Sequence, residues 1–129
     1  IGRVDALYAT TDNTVASALE ALVDVAMEID VPFLMADPSS IQKGPTICAG
    51  WNYYSHGLLV GDVVLDVLGG MALADIPITY QKNTEFNERE VVLNLDTAAA
   101  TGIVFPQGVI AEATSIYLGG VIWERKEKE

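Results

Sequence analysis

Three short apolar runs, each closed by a cluster of small polar or turn-forming residues, constrain this chain more than any other feature. Val4-Asp5-Ala6-Leu7-Tyr8-Ala9 gives way to Thr10-Thr11-Asp12-Asn13-Thr14, and Phe33-Leu34-Met35-Ala36 to Asp37-Pro38-Ser39-Ser40. The third, Thr46-Ile47-Cys48-Ala49-Gly50, leads into Trp51-Asn52-Tyr53-Tyr54. Runs of this length bounded by turn formers read as strands covered on both faces. Between the first two lies a helical stretch. Val15, Ala18, Leu19, Leu22, Ala26 and Ile29 recur at three- and four-residue spacing, with Glu20, Asp24 and Glu28 on the outer face. Thr11 or Asp12 is placed to cap it. Asp30-Val31-Pro32 ends it, because the residue before a proline is driven out of the α region. This order predicts an α/β fold with a mainly parallel sheet flanked by helices. In such sheets ligands sit beyond the carboxyl ends of strands, which singles out loops 10–14, 37–40 and 51–54.

The rest of the chain reads less evenly. One helical turn is predicted over Ile41–Lys43, ending at Gly44. A second long helix begins at Ser55 and stops at Gly69-Gly70. Leu58, Val60, Val64, Leu65, Val67 and Leu68 make it apolar over so wide an arc that burial on more than one side is expected. Ile76–Tyr80 reads as an edge or crossing strand, Lys82–Glu90 as a charged turn, and Val91–Leu93 as a last strand. A short helix over Thr97–Thr101 is stopped by Gly102, and a helix is expected over Val109–Tyr117. Trp123–Glu129 reads as a solvated, charged tail.

Composition excludes several classes. At 129 residues and 13.8 kDa the chain is one domain's worth of polypeptide. Seven Lys and Arg against 18 Asp and Glu leave a charge of −11, which repels phosphate backbones and argues against nucleic acid as a partner. Cys48 is the single cysteine and His56 the single histidine, so an internal disulfide, a Cys-rich zinc site and a multi-His metal centre are out of reach. No apolar run approaches the ~18 residues of a membrane span. Ile1 opens almost directly onto a strand with no leader-like stretch, and the chain is expected to continue a longer protein.

The loops offer chemistry, each with a plainer alternative. Asp12 can hold an ammonium group or simply cap the helix. Asp37, Ser39 and Ser40 can face a ligand or form a self-bonded Asx/ST turn. Trp51, Tyr53 and Tyr54 can stack on a ring or pack as core. Cys48 reads as a small buried hydrophobe, and Gly57-x-x-x-Gly61 as a packing signal. An enzyme using Asp12 and Asp37 is the weakest reading, since no nucleophile–base pair accompanies them.

Taken as a set, these residues resemble a known family. Val4–Tyr8, Thr11-Asp12-Asn13-Thr14, Asp30-Val31-Pro32 and Ala36-Asp37-Pro38-Ser39-Ser40 are similar to segments of ABC-transporter substrate-binding proteins of the tryptophan/tyrosine type. So are Asn52-Tyr53-Tyr54-Ser55-His56-Gly57, Ala74-Asp75-Ile76-Pro77, Asn94-Leu95-Asp96-Thr97 and Gly102–Pro106. The resemblance implies a type I periplasmic-binding fold, of which residues 1–117 supply the C-terminal portion. Residues 1–52 would form most of one lobe and 55–69 a helix that returns to the other lobe. Crossing and terminal segments would occupy 71–117, with 118–129 a charged tail. It implies ligand contacts from Thr11, Asp12, Asn13, Asp37, Ser39, Ser40 and Tyr53, with no catalytic residue, cofactor or metal. The ligand implied is a small molecule, an amino acid and often an aromatic one. The implied partner is a membrane permease and the implied location extracytoplasmic, as a periplasmic protein or lipoprotein. A ligand-sensing domain of a signalling protein is the alternative on the same fold. For the stretch by itself, helix 55–69 would expose an apolar face, and a homodimer is expected.

Overall fold

The structure is a computed structural model and describes residues 3–85 and 87–125. Its elements are, in order, β1 (Leu7–Ala9), α1 (Asn13–Ser17), α2 (Leu19–Glu28), β2 (Phe33–Met35), a 3-10 segment (Pro38–Lys43), β3 (Ile47–Trp51) and α3 (Tyr53–Leu68). Two short 3-10 turns follow, Leu73–Asp75 and Gln81–Asn83, and then β4 (Arg89–Asn94), α4 (Leu95–Thr101), α5 (Gln107–Glu112), β5 (Ser115–Leu118) and β6 (Val121–Glu124). The strands form one sheet in the order β1-β2-β3-β4-β5-β6. Pairing is parallel for β1–β2, β2–β3 and β4–β5, and antiparallel for β5–β6. The mainly parallel α/β sheet expected from the sequence is present.

The chain divides into two compact units, residues 1–50 with 90–129, and residues 51–89. The first holds the core. Leu19, Val23 and Ala26 of α2 pack with Phe33 and Met35 of β2, Cys48 of β3, Ile41 and Val92, all nearly sealed from solvent. β1 and β2 succeed one another in space because the polar turn after β1 is short and α2 lies on the sheet. Gly44 ends the 3-10 segment at φ 112°, and a Cβ there would lie 2.7 Å from Val23 Cγ1. Glycine is the residue that permits both the turn and the close approach of α2.

The second unit is built differently. Asn52 caps α3 by accepting from the Ser55 N–H at 2.8 Å. Ser55 donates to the Glu88 carboxylate, and the Gln81 side-chain carbonyl lies 3.1 Å from His56 Nδ1. Polar contacts tie this unit together, for among its described large apolar side chains Leu59 is the buried one.

Several sequence readings give way. The helix after loop 10–14 is not continuous. Ser17 Oγ donates back to the Asn13 carbonyl, and Ala18 leaves helical geometry at φ −108°, ψ 17°, so α1 and α2 are separate. Helix α3 starts at Tyr53 rather than Ser55, because Asn52 takes the cap. Its wide apolar arc is largely exposed rather than buried. Ile76–Tyr80 is irregular, and no strand among the described residues pairs with it. Val91–Leu93 lies inside β4, which is not the last strand. The helix expected over Val109–Tyr117 stops at Glu112. Thr114 turns the chain, its N–H donating to the Val91 carbonyl at 2.8 Å and its side chain bonding Val91, and β-prone Ile116 and Tyr117 join the sheet. The start of the expected tail is strand β6. Gly119 and Gly120, both at positive φ, turn the chain back, and the Arg125 guanidinium donates to the Ile110 and Ala111 carbonyls at the end of α5. Lys126–Glu129 lie outside the described residues.

Candidate functional site

Two polar turns lie side by side at the carboxyl ends of β1 and β2. Parallel pairing in the register Ala9–Met35 brings them level. Below them the Ala36 N–H donates to the Ala9 carbonyl at 3.0 Å. Across them Thr11 Oγ1 donates to the Ala36 carbonyl at 3.3 Å. The structure thus brings Thr11, Asp12 and Asn13 together with Asp37, Ser39 and Ser40.

The two aspartates are used differently. Asp12 is the N-cap of α1, and its Oδ1 accepts from the Thr14 and Val15 N–H groups at 2.8 and 2.9 Å. Its Oδ2 accepts no bond from any described residue, and the side chain is exposed. One oxygen fixes the turn while the other faces water. Asp37 is taken up locally. Its Oδ1 accepts from the Ser39 N–H at 3.1 Å and from the Ser39 hydroxyl at 2.8 Å. Its Oδ2 accepts from the Ser39 and Ser40 hydroxyls at 2.9 and 2.7 Å. Ser40 is buried, Asp37 half-buried and Ser39 exposed. The self-bonded turn offered as the plainer alternative is therefore realised at Asp37, with Pro38 entering at the first 3-10 position. This turn presents the outer face of Ser39 to solvent rather than a free carboxylate.

The wall is stiffened from beneath. Gly50, near the end of β3, passes so close to this turn that a Cβ would lie 2.6 Å from the Ala36 carbonyl and 2.8 Å from Pro38 Cδ. Cys48 is fully buried in the same strand. Burial, and second the charge of Asp37, push its thiol up from an ordinary 9.0 to about 12. The thiol therefore stays protonated and unreactive, as the packing reading expects. Among the described residues no three His, Cys, Asp or Glu side chains are placed to hold a metal.

Tyr53, the remaining candidate, belongs to the second unit, where it opens α3 and is half exposed. Trp51 in that unit lies under the Arg89 guanidinium, 4.7 Å from ring centre to charge. That stacked pair went unread in the sequence because 37 intervening residues separate its members. Buried Asn94 was also missed as more than part of a segment. Its amide donates to the Ile41 carbonyl and its oxygen caps α4 through the Thr97 N–H, while the Thr97 hydroxyl donates to the Gly44 carbonyl. These bonds hold the far end of the 3-10 segment whose start is Asp37. The Asn-x-x-Thr spacing was the available cue.

Comparison with known proteins places this geometry in context. The family described as ABC transporter substrate binding protein matches over residues 1–117. A tyrosine-binding protein of Clostridioides difficile is 32% identical over 100 residues, which are 78% of this chain and 28% of that protein. A conserved domain protein of Vibrio cholerae superposes with TM-score 0.75 at 30% identity, over 89% of this chain and 37% of its own. An ABC domain from Streptococcus pneumoniae in complex with L-Trp does so with TM-score 0.74 at 25% identity, over the same shares of 89% and 37%. The chain spans about a third of the length of the relatives it matches.

Proposed function

The chain belongs to the ABC transporter substrate-binding protein family, and from that premise we propose that it forms one wall of a cleft holding an amino acid for an ABC importer. The observation that carries the reading is the pairing of the two turns with one carboxylate oxygen, Asp12 Oδ2, left open toward solvent. An α-ammonium group seated there gains a charge-assisted hydrogen bond, which strengthens when a second lobe closes and water leaves. The Thr11 and Ser39 hydroxyls and the Asn13 amide supply neutral partners for the rest of the amino-acid backbone. Asp37 and Ser40 keep the second turn in shape. Tyr53 is a candidate on the family resemblance alone. An aromatic side chain on the ligand is favoured because relatives are a tyrosine-binding protein and a domain in complex with L-Trp. Closure of two lobes would couple binding to docking on a permease, outside the cytoplasm. The role is binding rather than catalysis, as in the family.

The test is an NMR titration of the 129-residue chain with the twenty amino acids. With one wall alone, affinity should be weak, so amide shifts report better than heat. L-Trp and L-Tyr should perturb residues 11–13 and 37–40 together, and Asp12→Asn, which keeps the cap, should abolish the response. Shifts at neither turn with any amino acid would overturn the reading.

A further inference from the structure

Each of the two turns carries a carboxylate, and neither loop, 10–14 or 36–40, contains a lysine, arginine or histidine. The described basic side chains lie outside the turns. Lys43 donates to the Ala16 carbonyl at 3.4 Å, and Arg125 donates to carbonyls at the end of α5. Lys82 and Arg89 belong to the second unit, where they lie over the rings of Tyr80 and Trp51. Arg3 precedes β1 and so sits at the edge of the sheet opposite the turns. Hydrogen bonding fixes the polarity of the wall further. The Thr11 hydroxyl donates its proton to the Ala36 carbonyl, and the Ser39 and Ser40 hydroxyls donate theirs to Asp37. A hydroxyl has one proton and two acceptor sites, so exposed Thr11 and Ser39 present lone pairs to solvent. Asp12 Oδ2 is a third acceptor. Asp12 Oδ1 meanwhile takes the Thr14 and Val15 N–H groups, the donors with which a helix start would otherwise attract an anion. Among the side chains of Thr11, Asp12, Asn13, Asp37, Ser39 and Ser40, the amide of exposed Asn13 is the donor that remains.

We propose that this wall selects its ligand by the amine alone, and that the class it takes is the primary arylalkylamine, with or without a carboxylate on the carbon that bears the nitrogen. The inference rests on the reading of these turns as a ligand-binding wall, and its aromatic part on the relatives that bear on that reading. An ammonium group brings three N–H donors and a positive charge to a surface of acceptors and two carboxylates. A ligand carboxylate brings a like charge to the same surface and finds one neutral donor, the Asn13 amide. Two unit charges about 4 Å apart in water alter an affinity about fivefold. Removing the ligand's carboxylate should therefore tighten binding to this wall by about that factor.

The test is an NMR titration of the 129-residue chain at low salt with L-Trp, tryptamine and indole-3-propionate, which share one ring system. Tryptamine should shift residues 11–13 and 37–40 at a dissociation constant about fivefold below that of L-Trp. Indole-3-propionate should shift neither turn. The gap between tryptamine and L-Trp should narrow as sodium chloride is added, and Asp12→Asn, which keeps the cap, should abolish the response to both. A response to L-Trp with none to tryptamine, or a tryptamine affinity below that of L-Trp, would overturn this inference and leave the amino-acid reading standing. Shifts at the turns with indole-3-propionate would overturn it equally. A response to tryptamine with none to any amino acid would support the amine seat and remove the amino acid as its ligand. Silence of both turns with every probe would overturn the two readings together.

Discussion

Asp12 and Cys48 illustrate how much a single side chain decides here. Asp12 both caps α1 and leaves an oxygen free, so two substitutions separate its tasks. Asp12→Ala should cost ~1 kcal/mol of stability in urea unfolding through the lost cap, whereas Asp12→Asn should cost a few tenths at most. Both should lose ammonium binding. Cys48 should resist alkylation by iodoacetamide in the folded protein and react on unfolding. Its titration also sets an alkaline limit. The unfolded thiol ionises near 9.0, while the folded thiol holds its proton to about 12. The unfolded state therefore loses its proton first, and stability falls as pH rises from 9 toward 12. Below pH 9 the thiol contributes no pH dependence. Cys48→Ser should flatten that alkaline decline in thermal melts.

Among the elements, those with strong local punctuation were legible and those settled by distant partners were not. β1, β2 and β3 could be read because Asp12, Asp37 and Gly44 mark where each polar turn starts or stops, and those marks act within three residues. The candidate site inherited that legibility, since parallel neighbours must present their turns on one edge. What stayed hidden was how Asp37 spends its oxygens, which depends on the Ser39 and Ser40 rotamers. Residues 109–117 failed because Val109, Ile110, Ile116 and Tyr117 satisfy either period, and the pairing of Thr114 with Val91 on β4 decides it. β6 failed because the run of charges after Trp123 masked a glycine-linked hairpin. Close approach between elements gives the sharpest test. Gly50→Ala should force β3 away from the Ala36 carbonyl, lower stability by ~2 kcal/mol and weaken the response of both turns to ligand. Gly44→Ala should cost at least as much, since it meets Val23 and a φ of 112° at once.

At the level of the molecule, charge and rigidity set the behaviour. Eleven surplus negative charges on 129 residues oppose compaction, so added sodium chloride should raise the melting temperature. A melting point indifferent to salt would mean that the carboxylates are spaced widely enough not to sense one another. The bond from Thr11 to the Ala36 carbonyl, with the main-chain bond from Ala36 to Ala9 beneath it, has a further consequence for recognition. Parting the two loops to admit a bulkier guest means breaking both bonds. On the binding reading they form a fixed grip for the part every amino acid shares, and discrimination among side chains is delegated to whatever closes from the other side.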